Sequence, residues 1–150
     1  MTSLVHVLLT EFSVPGLPMP QGSKTTGRTK TGRTFVREDN PGTGPWRNAV
    51  AGAAIAAMRG ADPEAGPLFL EAVFAFPRPK AHFGTGRNAG TLKRSAPPYC
   101  ATIPDLDKLL RAVGDACKGI IWRDDSQLVQ VRAEKVYGTP GLAATVWELA

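Results

Sequence analysis

One stretch constrains this chain more than any other: Ile103-Pro104-Asp105-Leu106-Asp107-Lys108-Leu109-Leu110-Arg111-Ala112-Val113-Gly114-Asp115-Ala116-Cys117, followed shortly by Trp122-Arg123-Asp124-Asp125-Ser126-Gln127. Pro104 disfavours the helical region for Ile103 and suits a helix start, so the Asp105 end is extended or only beginning to turn. Beyond it, Leu106, Leu109, Leu110, Val113 and Cys117 make an apolar stripe at helical spacing. The other face carries Asp107, Arg111 and Asp115 at successive i+4 steps, and Gly119 is the predicted stop.

Residues two apart point the same way in an extended chain but stand about 200° apart on a helix. Asp105 and Asp107 therefore converge only if the helix boundary falls between them. The Asp124-Asp125 pair sits where a turn feeds the next predicted strand, so two acidic segments meet at one end of a helix-and-strand unit. Two carboxylates about 4 Å apart repel by roughly 4 kcal/mol at an effective dielectric of 20, and a cluster of them calls for a divalent cation. Hard oxygen donors with no His or Cys nearby favour magnesium, with manganese as a substitute, over zinc. Each acid also has an ordinary structural use: Asp105 or Asp107 as a helix N-cap, Asp115 in a surface charge ladder, Asp124 and Asp125 as turn formers.

Pro-Asp-Leu-Asp-Lys-Leu-Leu-Arg-Ala-Val-Gly-Asp-Ala, a short gap and Trp-Arg-Asp-Asp-Ser-Gln-Leu-Val together resemble the RusA family of Holliday junction resolvases, common in bacteriophages and prophages. The resemblance is close from Pro104 to about Glu134. It extends upstream through Pro20-Gln21-Gly22-Ser23-Lys24 and the segment from Gly84-Thr85-Gly86-Arg87-Asn88 to Pro97. It implies metal-binding carboxylates at Asp105, Asp107 and Asp125, and a basic catalytic residue at Arg111, where well-known members carry Lys. The family's usual Asn after the Asp-x-Asp motif is Lys108 here. Both departures keep or add positive charge, although a planar guanidinium contacts phosphate differently from an ammonium. Asp124, Asp115 and Lys108 are the candidates to support the site from around it. The family's homodimeric state suits a substrate that needs two symmetric nicks.

The rest of the chain fits one domain, since 150 residues at 43% hydrophobic content suffice for a core. Cys100 and Cys117 make no metal spacing and no disulfide framework, as expected of a cytoplasmic protein, and Cys117 belongs to the apolar stripe. The opening residues have no basic start, long apolar run or cleavage site, so neither a signal peptide nor a membrane span is expected. The net charge of +5 is unevenly spread. Lys24, Arg28, Lys30, Arg33 and Arg37 occur with no acid between Glu11 and Glu38, and Arg78, Lys80, Arg87, Lys93 and Arg94 occur with none between Glu71 and Asp105. Basic segments thus bracket the acidic one, a pattern suited to a phosphate backbone and equally to solvated loops.

Leu4 to Val14 is apolar on both faces and predicts a strand within the body of a sheet, with His6 a strand residue rather than a ligand. Pro15 to Gly44 predicts a loop with a short hairpin turning at Thr31-Gly32. Pro45-Trp46 opens a helix to about Arg59 whose face uses Trp46, Ala49, Val50, Ala53, Ala54 and Ala57. Leu68 to Phe76 alternates as a strand, and Pro77 to Thr102 is a long loop expected near the substrate. Phe83, Tyr99 and Trp122 could stack on bases or pack, and none is given a role. Gln127 to Tyr137 and Leu142 to Leu149 predict two antiparallel strands joined at Gly138-Thr139-Pro140-Gly141. The expected fold is α+β: a single domain with a mixed sheet, two main helices and long basic loops.

The expected function is a magnesium-dependent endonuclease that resolves four-way DNA junctions, with DNA contacts from Lys24, Arg28, Lys30, Arg33, Arg87, Lys93 and Arg94. Two alternatives are a DNA-binding structural protein without catalysis and an Asp-x-Asp phosphotransferase or glycosyltransferase. The second is weakened because its motif follows Pro104 rather than a hydrophobic strand.

Overall fold

The computed structural model describes residues 5–22, 24–38 and 41–150; for 24–26 and 35–38 it describes the backbone only. Strand β4 (Leu68–Phe76) organises the rest. Leu68, Leu70, Ala72, Phe74 and Phe76 are buried, as its alternation demands, and form the centre of the core. The four-stranded sheet has the order β1-β6-β4-β5, where β1 is His6–Pro15, β5 is Leu128–Tyr137 and β6 is Gly141–Leu149. β4 runs parallel to β5 and antiparallel to β6. Parallel neighbours need a crossover, and helix α2 (Leu106–Cys117) lies within it. Helix α1 (Thr43–Met58) packs on β1 and α2, and the Thr10 hydroxyl donates to the Ala57 carbonyl at 3.1 Å.

The mixed sheet with two helices agrees with the expected α+β class, and the hairpin is present as β2 (Lys24–Arg28) and β3 (Thr34–Glu38). Three expectations need correction. First, β1 is an edge strand, paired only with β6. Its apolar residues serve both faces because the sheet surface away from the helices has a small aromatic cluster of its own. The His6 ring lies 5.6 Å from Phe69 and 6.4 Å from Trp147, while Val7 and Leu8 stay exposed. Leu4, the predicted start, lies outside the described residues.

Second, β5 and β6 are antiparallel in direction but do not pair, because β4 lies between them. The turn joining them is held across the end of β4, where Gly138 N donates to the Phe76 carbonyl at 2.9 Å and Gly16 N to the Pro140 carbonyl at 3.2 Å. Third, the buried stripe of α1 is Thr43, Trp46, Val50, Ala54 and Met58, and Ala49 faces outward. The helix begins at Thr43 rather than Pro45, and the fully buried Thr43 hydroxyl donates to the Pro20 carbonyl at 2.8 Å.

The long loop after β4 is folded tightly. One 3-10 turn, Lys80–His82, precedes a Phe83–Leu92 bridge, and a second, Gly86–Asn88, lies within the segment it closes. Gly84 is needed there, since a Cβ on it would stand 2.6 Å from the Asn88 Cβ and 2.8 Å from the Asn88 carbonyl oxygen. Among the described residues no helix is long and apolar enough to cross a membrane.

Candidate active site on one face of helix α2

The proline before the acidic motif does what its chemistry dictates. Asp105 is the extended N-cap residue of α2 (φ −69°, ψ 138°), and the helix begins at Leu106. Leu109, Ala112, Val113, Ala116 and Cys117 are buried, so the polar face turns outward. Asp107 and Arg111 are exposed one turn apart, and neither side chain has a hydrogen bond or ion pair with any described residue. Asp115 continues that row and is exposed as well. Asp105 Oδ2 lies 3.7 Å from Lys108 Nζ. An ion pair this exposed contributes at most about 1 kcal/mol and leaves both groups available to a ligand.

The second acidic segment is built differently. Asp125–Gln127 is a 3-10 turn capped by Asp124, whose carboxylate accepts from Ser126 N at 3.2 Å. Gln127 ties the turn to the body of the protein. Its Oε1 accepts from the backbone N–H groups of Arg123 and Asp124 at 2.8 and 2.9 Å, and its Nε2 donates to the carbonyls of Glu64 and Gly66 at 2.7 and 2.9 Å. The Ser126 hydroxyl and N–H, and then Lys118 at 3.2 Å, hold the exposed Asp124 carboxyl down to about 2.

Asp125 faces elsewhere. Its Oδ1 accepts from the indole Nε1 of the fully buried Trp122 at 2.7 Å. Its Oδ2 stands 3.4 Å from where a Cβ on Gly114 would be. Burial, followed by the charge of Asp125, pushes the neighbouring Cys117 thiol up to about 12. Cys117 is therefore a neutral core residue, and Cys100 is a second buried free cysteine.

Asp107, Arg111 and Gly114 are four and three residues apart and share one face of α2, over which Asp125 stands. Asp107 and Gly114 are separated by about 10 Å of helix rise. The acids thus lie along one strip, and among the described residues no group of three or more His, Cys, Asp or Glu side chains is close enough to hold a metal ion. The strip brings Asp107, Arg111 and Asp125 onto one surface with Asp105 at its end, and it turns Asp124 away toward Lys118. Its donors are carboxylates only, a set suited to a hard cation such as magnesium or manganese.

The basic segments are rooted close by. Gln21 N donates to the Lys108 carbonyl at 3.0 Å and Gln21 Oε1 accepts from Arg47 at 3.2 Å, so the Pro20-Gln21-Gly22 segment is fastened to the first turn of α2 just before the β2–β3 hairpin. Arg28, Lys30 and Arg33 on that hairpin are exposed, whereas the side chains of Lys24 and Arg37 lie outside the described residues. Lys80, Arg87, Lys93 and Arg94 are exposed on the second loop. Arg78 has a structural role: it lies 4.3 Å from the Tyr137 ring centre and donates to the Pro97 carbonyl at 2.8 Å. Lys135 Nζ donates to the carbonyls of Thr102 (2.5 Å) and Pro104 (2.9 Å), which fixes the approach to Asp105. Of the aromatic residues, Tyr99 is 80% exposed, and buried Trp122 cannot meet a base.

Sequence reasoning passed over Trp122 and Gln127 as positioners of Asp125 and Gly114 as the space it faces. One signal was present for Gly114, since glycine inside a helix costs about 1 kcal/mol relative to alanine and so points to a packing or functional reason. For Gln127 and Trp122 there was none, because their partners at Glu64 and Gly66 and at Asp125 are set by folding.

Comparison with known proteins shows the family of this chain. Residues 15–146 match the family model described as Endodeoxyribonuclease RusA, a span that includes all four strip residues. The chain is also 24% identical over 127 residues to an uncharacterized protein, YqaN, of Bacillus subtilis (strain 168), covering 85% of this chain and 87% of that one. A match over nearly the whole length, with the acidic strip inside it, establishes that this chain belongs to the RusA family of endodeoxyribonucleases.

Proposed function

We propose that the protein is a magnesium-dependent endonuclease that cuts four-way DNA junctions by paired symmetric nicks, with manganese able to replace magnesium. One observation carries the reading: Asp107, Arg111 and Asp125 share an exposed surface with Asp105 at its end, and Asp107 and Arg111 have no described partner of their own. Exposed carboxylates strung along one strip suit an external cation, and a bare guanidinium among them suits a phosphate.

Asp105, Asp107 and Asp125 are the residues that would hold the cation. When bound, it supplies activation of water and neutralisation of charge on the phosphodiester. Arg111 directs its planar donors at the phosphate oxygens and stabilises the charge that builds there. Trp122 holds Asp125 in orientation through its indole N–H, and Lys108 adds positive charge beside Asp105. The exposed Arg28, Lys30, Arg33, Arg87, Lys93 and Arg94 would follow the DNA backbone, together with Lys24 at the root of the hairpin. Two copies related by a two-fold axis match the symmetry of the junction.

The test is nicking of a labelled four-way junction beside a matched linear duplex, with and without magnesium. Wild type and Asp124→Asn should cut the junction, the latter at a reduced rate, whereas Asp107→Asn and Asp125→Asn should bind without cutting. Binding by wild type with no magnesium-dependent nicking would favour a DNA-binding protein without catalysis. A dead Asp124→Asn beside an active Asp125→Asn would exchange the roles of the adjacent acids.

A further inference from the structure

A cleft of about 500 Å³ opens directly beside the acidic strip, with Asp105 and Lys108 at its mouth. One wall is the segment 17–20 that leaves β1, the other is the Ile103–Pro104 bend, and Phe76 and Pro77 complete the lining. The volume falls within the roughly 300–1,000 Å³ of small-molecule sites. Apart from Asp105 and Lys108, every lining residue is apolar.

Two features set the cleft apart from a chance hollow. Both walls are fastened: the Pro20 carbonyl accepts from Thr43, Gln21 N donates to Lys108, and the carbonyls of Thr102 and Pro104 accept from Lys135. The recess is thus preformed. The rim, in contrast, holds two large apolar side chains out in solvent, Leu17 at 52% and Ile103 at 88% exposure. Two exposed aliphatic side chains flanking one fixed apolar recess suit a flat, apolar-faced guest.

We propose that this cleft receives the face of a nucleobase unstacked at a DNA branch point, adjacent to the phosphate held on the acidic strip; this rests on the nuclease reading above. Charge complementarity selects that guest. Lys108 at the mouth meets a phosphate, the apolar walls meet a base face, and Asp105 belongs to both the cleft and the strip, so a strand lying along the strip carries a neighbouring base over the opening. A base at a branch point is already partly unstacked and moves at lower cost than one inside a duplex. With no side-chain donor other than Lys108, the cleft reads the size of a base rather than its hydrogen-bonding edge.

The test uses Asp107→Asn protein, so that strands stay intact, and junctions carrying 2-aminopurine at each branch-point position in turn. Binding should change the fluorescence at one position. Adding Leu17→Ala and Ile103→Ala should abolish that change and lower the preference for junction over duplex about tenfold. Both side chains are exposed, so thermal melting should not move. A cleft variant that keeps the fluorescence change and the junction preference overturns the proposal while leaving the nuclease reading intact. An Ile103→Glu protein that sediments as a smaller species without DNA, with the fluorescence change retained, overturns it in favour of a seat for a second copy. No branched-DNA binding by Asp107→Asn, together with no nicking by wild type, overturns both readings.

Discussion

The two acidic segments of the candidate site reach the same surface by opposite means. Asp105 and Asp107 are placed by helix geometry alone: a proline, an extended cap residue and a helix with a buried apolar face leave their carboxylates in solvent with few partners. Asp124 and Asp125 are held by side-chain partners, Trp122, Ser126, Lys118 and Gln127, the last of which ties their turn to the distant Glu64 and Gly66 carbonyls. Rigid backbone can aim a carboxylate without touching it, whereas a turn needs side-chain partners to hold one still. The first segment should therefore lose function on mutation with little loss of stability, and the second should lose both.

The largest effect tests that contrast directly. Gln127→Ala removes four hydrogen bonds and leaves the part-buried Glu64 and Gly66 carbonyl contacts without their donor, so urea denaturation should show a loss of about 2–4 kcal/mol. Asp107→Ala, at an exposed side chain with no described partner, should stay within about 0.5 kcal/mol of wild type. Equal losses in the two variants would break the comparison.

Next is Trp122→Phe, which keeps an aromatic ring in the core but takes away the 2.7 Å donor to Asp125. Nicking should fall about 10–100-fold with the magnesium requirement shifted to higher concentration, as for loss of a residue that orients a metal ligand. An unchanged magnesium dependence would show that the indole bond serves the fold alone.

Gly114→Ala separates stability from function within α2. Alanine should raise helix stability by up to about 1 kcal/mol. Its methyl would lie 3.4 Å from the Asp125 carboxylate, in van der Waals contact, and fill the space that the acid faces. A more stable protein with slower nicking is expected from paired melting and rate measurements. Faster or unchanged nicking would mean that the gap above Gly114 is not used.

The smallest effect concerns the cap. Asp124 is depressed in the folded state, chiefly by Ser126 and then by Lys118, so its contribution is present above the usual carboxylate range and is lost as pH falls through about 2. The stabilities of wild type and Asp124→Ala, compared by melting between pH 5 and pH 2, should differ slightly at the upper end and converge at the lower. Solvent screening keeps the difference small. A constant gap would show that the loop is held by Gln127 alone.

Much of this molecule was legible from local rules. The boundary at Asp105, the apolar stripe of α2, the alternation of β4 and the β2–β3 hairpin each follow from residues a few positions apart, because proline, helical spacing and strand alternation act over that range. The family resemblance rests on the same short span. Tertiary structure decided what depends on residues far apart in sequence. It made β1 an edge by giving one sheet face to the helices and the other to His6, Phe69 and Trp147, and it inserted β4 between β5 and β6. It also fixed the turn that carries Asp124 and Asp125, because Gln127 reaches carbonyls 63 and 61 residues away; with the turn held there, the adjacent acids face different neighbours, Lys118 for one and Trp122 and Gly114 for the other.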